Sequence, residues 1–294
     1  MGRMLGRLPG AREESIEETL VAFREVISGT LEKLIAVPCD RTNTVHPPAP
    51  YVNFAKVIAA INENAGAPVC SVITLNYDVL TDLALYSHNS LGYNYGFENG
   101  GNGYVPLLKL HGSLNWGRCL NPECRKIIPW HIGQYLRDTM ILLPNDNGTV
   151  ELRLASRLRS AQLRHCDRAI DPTPVIVPPT WNKTDYAPTL VGVWQQAADN
   201  LSDAENIFVC GYSLPETDSF FKYLYALGAV GRALIRRFWV FDPDPNVEGR
   251  FRDLLGPASS SKFKRWPDTF VDMPNRLVSN LSIGMTRAWK AASA

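Results

Sequence analysis

Val69-Cys70-Ser71-Val72-Ile73-Thr74-Leu75 is a short apolar run, and it ends directly in Asn76-Tyr77-Asp78. A run of this length, rich in β-branched residues, reads as a buried strand. The pattern returns twice. Val105 to Leu110 ends in His111-Gly112-Ser113, and Ile207 to Cys210 ends in Gly211-Tyr212-Ser213. In an open α/β sheet, ligands bind outside the carboxyl ends of the strands. An amide, a carboxylate, an imidazole and a serine hydroxyl at such ends point to charge or hydroxyl chemistry on a bound nucleotide.

Working outward, the runs between these strands carry helical spacing. Leu20, Phe23, Ile27, Leu31 and Leu34 predict a helix over Glu17 to Val37, with Ser15 as its N-cap and Glu18 three residues on. Tyr51 to Asn64 predicts a second helix, stopped by Ala65-Gly66, and Val79 to Tyr86 a short third one. Ser90 to Gly103 is a long loop rich in glycine and asparagine, of the kind that is often functional. Pro174 to Val177 reads as a short strand, Thr189 to Leu201 as a helix, Asp218 to Leu227 as another, and Phe238 to Phe241 as the last clear strand. This alternation predicts an α/β fold, doubly wound around a mostly parallel sheet.

Between the second and third strands the periodicity weakens. Cys119 to Cys166 holds several prolines and tryptophans and a basic helix around Leu152 to Leu163. It reads as a small inserted module at about residues 117–170, zinc-ribbon-like or vestigial. The main domain is expected over 15–256. Residues 1–14 read as disordered or cut off, and 257–294 as a tail without an assigned fold.

Composition narrows the function classes. The chain of 294 residues carries 30 basic and 29 acidic side chains, for a net charge of +1, which argues against a broad nucleic-acid footprint. No apolar run reaches the length of a membrane span. Six scattered cysteines suit a reducing compartment, so the expected location is the cytoplasm.

The ordered set Thr74-Leu75-Asn76-Tyr77-Asp78, Lys109-Leu110-His111-Gly112-Ser113 and Gly211-Tyr212-Ser213-Leu214-Pro215-Glu216-Thr217-Asp218 resembles the sirtuin-like NAD-consuming domains. It is closest to their bacterial antiphage-defence branch. Pro178-Pro179-Thr180, Lys183 and Trp194 resemble the same branch, and the resemblance covers about residues 50–250. It implies NAD+ as substrate, Asn76 and His111 as catalytic residues, and Asp78, Gly211, Ser213, Asp242 and Asn246 as cofactor contacts. It also implies activation as a homo-oligomer or with a defence-system partner protein, away from membranes. Protein deacylation, or an inactive nucleotide-binding or interaction module, are the alternatives.

The sequence departs from that family at its start. A strand and glycine-rich turn for the phosphates would be expected, and Leu5-Gly6-Arg7-Leu8-Pro9-Gly10 has no apolar strand before it. The expectation is a chain lacking the start of its natural domain.

Each motif also has a structural reading. Asn76 or Asp78 can cap the following helix. His111 can be a strand-end histidine bonded to backbone, and Gly211-Tyr212-Ser213 a plain turn. Cys119 and Cys124, with four residues between them, can share a zinc ion with Cys166 and either His165 or His131, as the resemblance to the sirtuin zinc module implies; free thiols are the alternative. Cys39, Cys70 and Cys210 read as small apolar core residues. Arg153, Arg157, Arg159, Arg164 and Arg168 read as a solvated helix face.

Overall fold

The computed structural model describes residues 13–88, 92–97, 103–139, 144–158, 161–177, 187–215, 222 and 234–281. In chain order the elements are α1 (Glu13–Leu34), β1 (Ala36–Pro38), α2 (Ala49–Ala65), β2 (Val72–Thr74), α3 (Leu80–Ser87), β3 (Tyr93–Asn94) and β4 (Val105–Lys109). There follow β5 (Trp116–Cys119), β6 (Ile127–Pro129), α4 (Ile132–Asp138), β7 (Thr149–Glu151), α5 (Leu154–Arg157), β8 (Arg164–His165) and β9 (Arg168–Asp171). The last are α6 (Ala187–Ser202), β10 (Asn206–Cys210), β11 (Arg237–Phe241), α7 (Val247–Ser259), β12 (Phe263–Trp266) and α8 (Met273–Asn280). The predicted helix over 218–227 (apart from residue 222, which is helical), the Pro178–Thr180 motif with Lys183, and the Leu5–Gly10 stretch lie outside the described residues.

The chain divides into two compact units, Met1–Val52 with Val72–Gly192, and Asn53–Ser71 with Val193–Ala294. In the first unit, β2, β4 and β3 form a parallel sheet in the order β2-β4-β3. The inserted stretch builds a four-stranded antiparallel sheet, β6-β5-β9-β8. A core of the unit buries Val79, Leu83, Leu114, Ile132, Tyr135 and Leu154 together. The first helix ends at Leu34, the last residue of its apolar stripe and three short of the expected Val37. Ala36-Val37-Pro38 leaves it to pair antiparallel with Thr149–Glu151, which buries Val37 completely. Tertiary pairing overrides local helical spacing there.

The second unit shows why its sequence alternates. In β11 the side chains of Phe238 and Val240 pack with Val247 and Phe251 of α7. Trp239 and Phe241 point the other way, onto Val57 of α2 and Met273 and Leu277 of α8. Successive strand residues face opposite sides, so an unbroken apolar run requires cover on both. The sheet β10-β11-β12 is parallel throughout and has helices on both faces, which makes the protein an α/β fold of doubly wound type.

The stretch that the sequence leaves unassigned contains β12 and α8. Phe263 and Met273 are buried there, one on each side of the sheet. The basic helix expected over 152–163 is a single short turn, α5. Arg164 and Arg168 belong instead to the hairpin β8–β9. Among the described residues, no helix is long and apolar enough to cross a membrane.

Candidate active site and metal centre

Two turns in the first unit carry the candidate catalytic residues. β2 and β4 are neighbours, with Thr74 paired to Lys109, and the Leu110 N–H donates to the Thr74 carbonyl at 2.9 Å. Asn76 and His111 therefore follow the carboxyl ends of adjacent parallel strands, each two residues past the paired position. Asn76 is exposed, and its N–H donates to Thr74 Oγ1 at 3.1 Å. His111 is 8% exposed. The rings of Tyr77 and His111 lie 6.0 Å apart.

A third segment clamps both turns. The Tyr77 hydroxyl donates to the Val177 carbonyl at 2.6 Å, and the Val177 N–H donates to the His111 carbonyl at 2.8 Å. Burial pushes the Tyr77 phenol up to about 12, so it stays a donor at neutral pH. The expected strand at Pro174 to Val177 reduces to a single bridge between Ile176 and Gly112. Gly112 has φ +86°, and a Cβ there would lie 1.9 Å from the Val175 carbonyl oxygen. Only glycine fits, because the backbone is both left-handed and crowded.

Asp78 has a structural task. Its Oδ1 accepts the Leu80 N–H at 2.9 Å and so satisfies the first amide of α3. Its backbone carbonyl accepts from Lys109 Nζ, which also lies 3.1 Å from Asp82 Oδ2. Lys109 is 1% exposed and Asp82 is fully buried. Lys109 opens the second motif without an assigned role, and Asp82 lies outside every motif. Their signal is a lysine inside the apolar run Val-Pro-Leu-Leu-Lys-Leu and an aspartate inside Leu-Thr-Asp-Leu-Ala-Leu. A charge is buried only where it is paired.

The second unit carries the other candidates. Cys210 pairs with Phe241, so Gly211 to Ser213 and Asp242 to Asn246 both follow the carboxyl ends of β10 and β11. Gly211 turns with φ +65°. Ser213 is exposed, and its carbonyl accepts from Arg250 Nε at 2.7 Å. Asp242 is nearly buried, with Oδ1 accepting the Asp244 N–H at 2.8 Å. Asn246 is exposed, and its N–H and Nδ2 both donate to Asp244 Oδ1. Burial, and then the Asp242 charge, push the Cys210 thiol up to about 12; burial does the same for Cys70. Both are half-buried, and a raised pKa disfavours the reactive thiolate. Cys39 is also half-buried.

The inserted sheet brings two hairpin tips together. In the β5–β6 turn, Cys119 and Cys124 flank Asn121, whose N–H lies 3.5 Å from Cys119 Sγ. In the β8–β9 turn, Cys166 and Asp167 both have positive φ, 50° and 57°, as a two-residue hairpin of the tightest kind requires. The ligand atoms of Cys119, Cys124, His165 and Cys166 all lie within 4.8 Å of one another. His165 Nδ1 is 3.5 Å from Cys124 Sγ and 3.2 Å from Cys166 Sγ. Three thiols and one imidazole at this spacing are the donor set of a closed tetrahedral zinc site. The cluster fits zinc, and an ion there would tie the two hairpins together. The Lys126 N–H holds the Cys124 thiol below its ordinary value, which favours the thiolate a metal needs. His131 stands elsewhere, stacked on Tyr95 at 5.2 Å.

No family model matches the chain, and no curated protein matches it. Among solved structures it is similar to a Sir2 homologue in complex with NAD, at 16% identity and TM-score 0.44, covering 94% of this chain and 77% of that one. A mutant Sir2 homologue with ADP-ribose gives 16% and 0.43, over 96% and 79%. A complex of Sir2, p53 peptide and NAD+ gives 16% and 0.38, over 80% and 74%. These are likenesses of architecture.

Proposed function

We propose that this chain hydrolyses NAD+ at the bond between nicotinamide and ribose. The observation that carries the reading is the placement of Asn76 and His111 beyond the carboxyl ends of two adjacent, in-register parallel strands. Nicotinamide is a cationic leaving group, so the cleavage needs orientation of the ribose and a placed water more than a strong nucleophile. Asn76 both donates and accepts, and holds a ribose hydroxyl or the water. His111 is the proton carrier to or from that hydroxyl or water.

In this reading Asp78, Gly211, Ser213, Asp242 and Asn246 contact the dinucleotide. Gly211 and Ser213 follow the carboxyl end of β10 and Asp242 and Asn246 that of β11, where an open α/β sheet binds its ligands. Zinc at Cys119, Cys124, His165 and Cys166 is structural. A place in bacterial antiphage defence in the cytoplasm, with a homo-oligomer or a defence-system protein as partner, rests on the motif resemblance and belongs to the same proposal.

The test is nicotinamide release from NAD+ by the purified protein. Release without added peptide supports hydrolysis. Release only with an acetylated peptide makes the protein a deacylase. No release under either condition, with NAD+ bound, leaves a binding module.

A further inference from the structure

The two turns of the first unit are joined by buried polar side chains that none of the roles above uses. Starting from the Asp78 carbonyl, Lys109 Nζ donates to it and pairs with Asp82. Asp82 Oδ1 accepts from the Tyr95 hydroxyl. That hydroxyl accepts from Asn115 Nδ2 at 2.9 Å, and the same amide nitrogen donates to the Trp130 carbonyl at 2.9 Å. Ser113 Oγ donates to Asn115 Oδ1 at 2.6 Å. Ser113 Oγ also lies 3.3 Å from the Tyr77 carbonyl, which accepts the Leu114 N–H at 3.1 Å. The path leaves the carbonyl of residue 78 and ends on Ser113, whose chain neighbour Leu114 donates its N–H to the carbonyl of residue 77.

All five side chains are buried, with Asp82, Ser113 and Asn115 at 0% exposure. Burial and the Asp82 charge raise the Tyr95 phenol well above its ordinary value, so it remains protonated and keeps donating. Packed aromatic rings hold that phenol: Trp116 meets Tyr95 edge-on at 5.0 Å. An ion pair and three polar groups are a poor way to stabilise a core, since apolar side chains of equal volume serve as well or better. What such a path supplies is fixed direction, because every bond in it has one donor and one acceptor.

We propose that Lys109, Asp82, Tyr95, Asn115 and Ser113 are the positioning residues of the candidate catalytic site, with Tyr95 at their centre. They hold the Asn76–Asp78 turn against the His111–Ser113 turn, and none of them touches substrate. The inference rests on the NAD-hydrolysing reading for its kinetic part only.

The test uses Tyr95→Phe, which keeps the ring and removes the hydroxyl, and Ser113→Ala. Circular dichroism checks the fold. Nicotinamide release gives kcat and KM, and imidazole NMR signals of His111, assigned with His111→Asn, report its position. The expected result is a folded Tyr95→Phe protein whose kcat falls about 10- to 100-fold. KM stays within about twofold, and the His111 signals move. An unchanged kcat with unmoved His111 signals in a folded variant overturns the inference, as does a raised KM with kcat kept. Should the wild-type protein release no nicotinamide, the NAD reading fails, and the His111 signals alone decide: moved signals support the positioning role and unmoved signals refute it. Should Tyr95→Phe not fold, Ser113→Ala is judged on the same readouts.

Discussion

Thr74 and Lys109 are paired across two parallel strands, and the candidate catalytic residues Asn76 and His111 each stand two residues beyond that pair. The strand ladder thus sets their separation before any side chain chooses a rotamer. Asn76→Ala and His111→Ala are expected to leave the circular dichroism spectrum unchanged and to lower nicotinamide release at least about 100-fold, the usual loss of a positioned proton carrier. Wild-type turnover by His111→Ala would end its catalytic assignment.

The ion pair between Lys109 and Asp82 separates stability from positioning. Lys109→Met leaves a buried carboxylate alone and should cost about 3–5 kcal/mol in urea denaturation. Lys109→Met combined with Asp82→Leu should regain part of that stability while turnover stays low. Recovery of full turnover in the double variant would show that the pair serves folding only.

Gly112 and Gly211 both have positive φ, yet they are not equivalent. At Gly112 an added Cβ meets the Val175 carbonyl oxygen, whereas at Gly211 nothing lies within 4 Å. Gly211→Ala should cost about 1–2 kcal/mol, the price of a left-handed residue. Gly112→Ala should exceed about 3 kcal/mol, because a backbone atom has to move as well. Chemical denaturation of both variants gives the comparison, and equal losses would contradict it.

Metal analysis of protein purified without chelator should find one zinc per chain. Cys124→Ser and His165→Ala should each weaken zinc binding by more than the about 10- to 100-fold that changes outside the ligand shell cost. His131→Ala should leave the zinc content alone. Zinc lost equally from all three would place the ion elsewhere.

Much of the frame was legible because its causes are local. Val105 to Leu110 and Phe238 to Phe241 are apolar runs bounded by polar turns, and they are strands where they were expected. The run at 69–75 holds a strand, shortened to Val72–Thr74. Other features were not legible. Ala36 and Val37 fall within the expected helix and Pro38 just past it, yet all three form a strand, because their partner lies at 149–151. Phe263 to Trp266 lies between serines and a proline and reads as mixed, yet it completes the parallel sheet beside β11.

The site divides along the same line. The residue types at the strand ends, and the cysteine pair at 119 and 124, stand in the sequence itself. That His165 rather than His131 joins those cysteines was settled by two hairpin tips meeting, and that Asp82 neutralises Lys109 by the packing of α3 on its sheet. Periodicity of apolar side chains is imposed by the geometry of one element and can be read along the chain. The partner of a buried charge or thiol is whatever the folded chain brings within reach, and that is fixed only by tertiary contact.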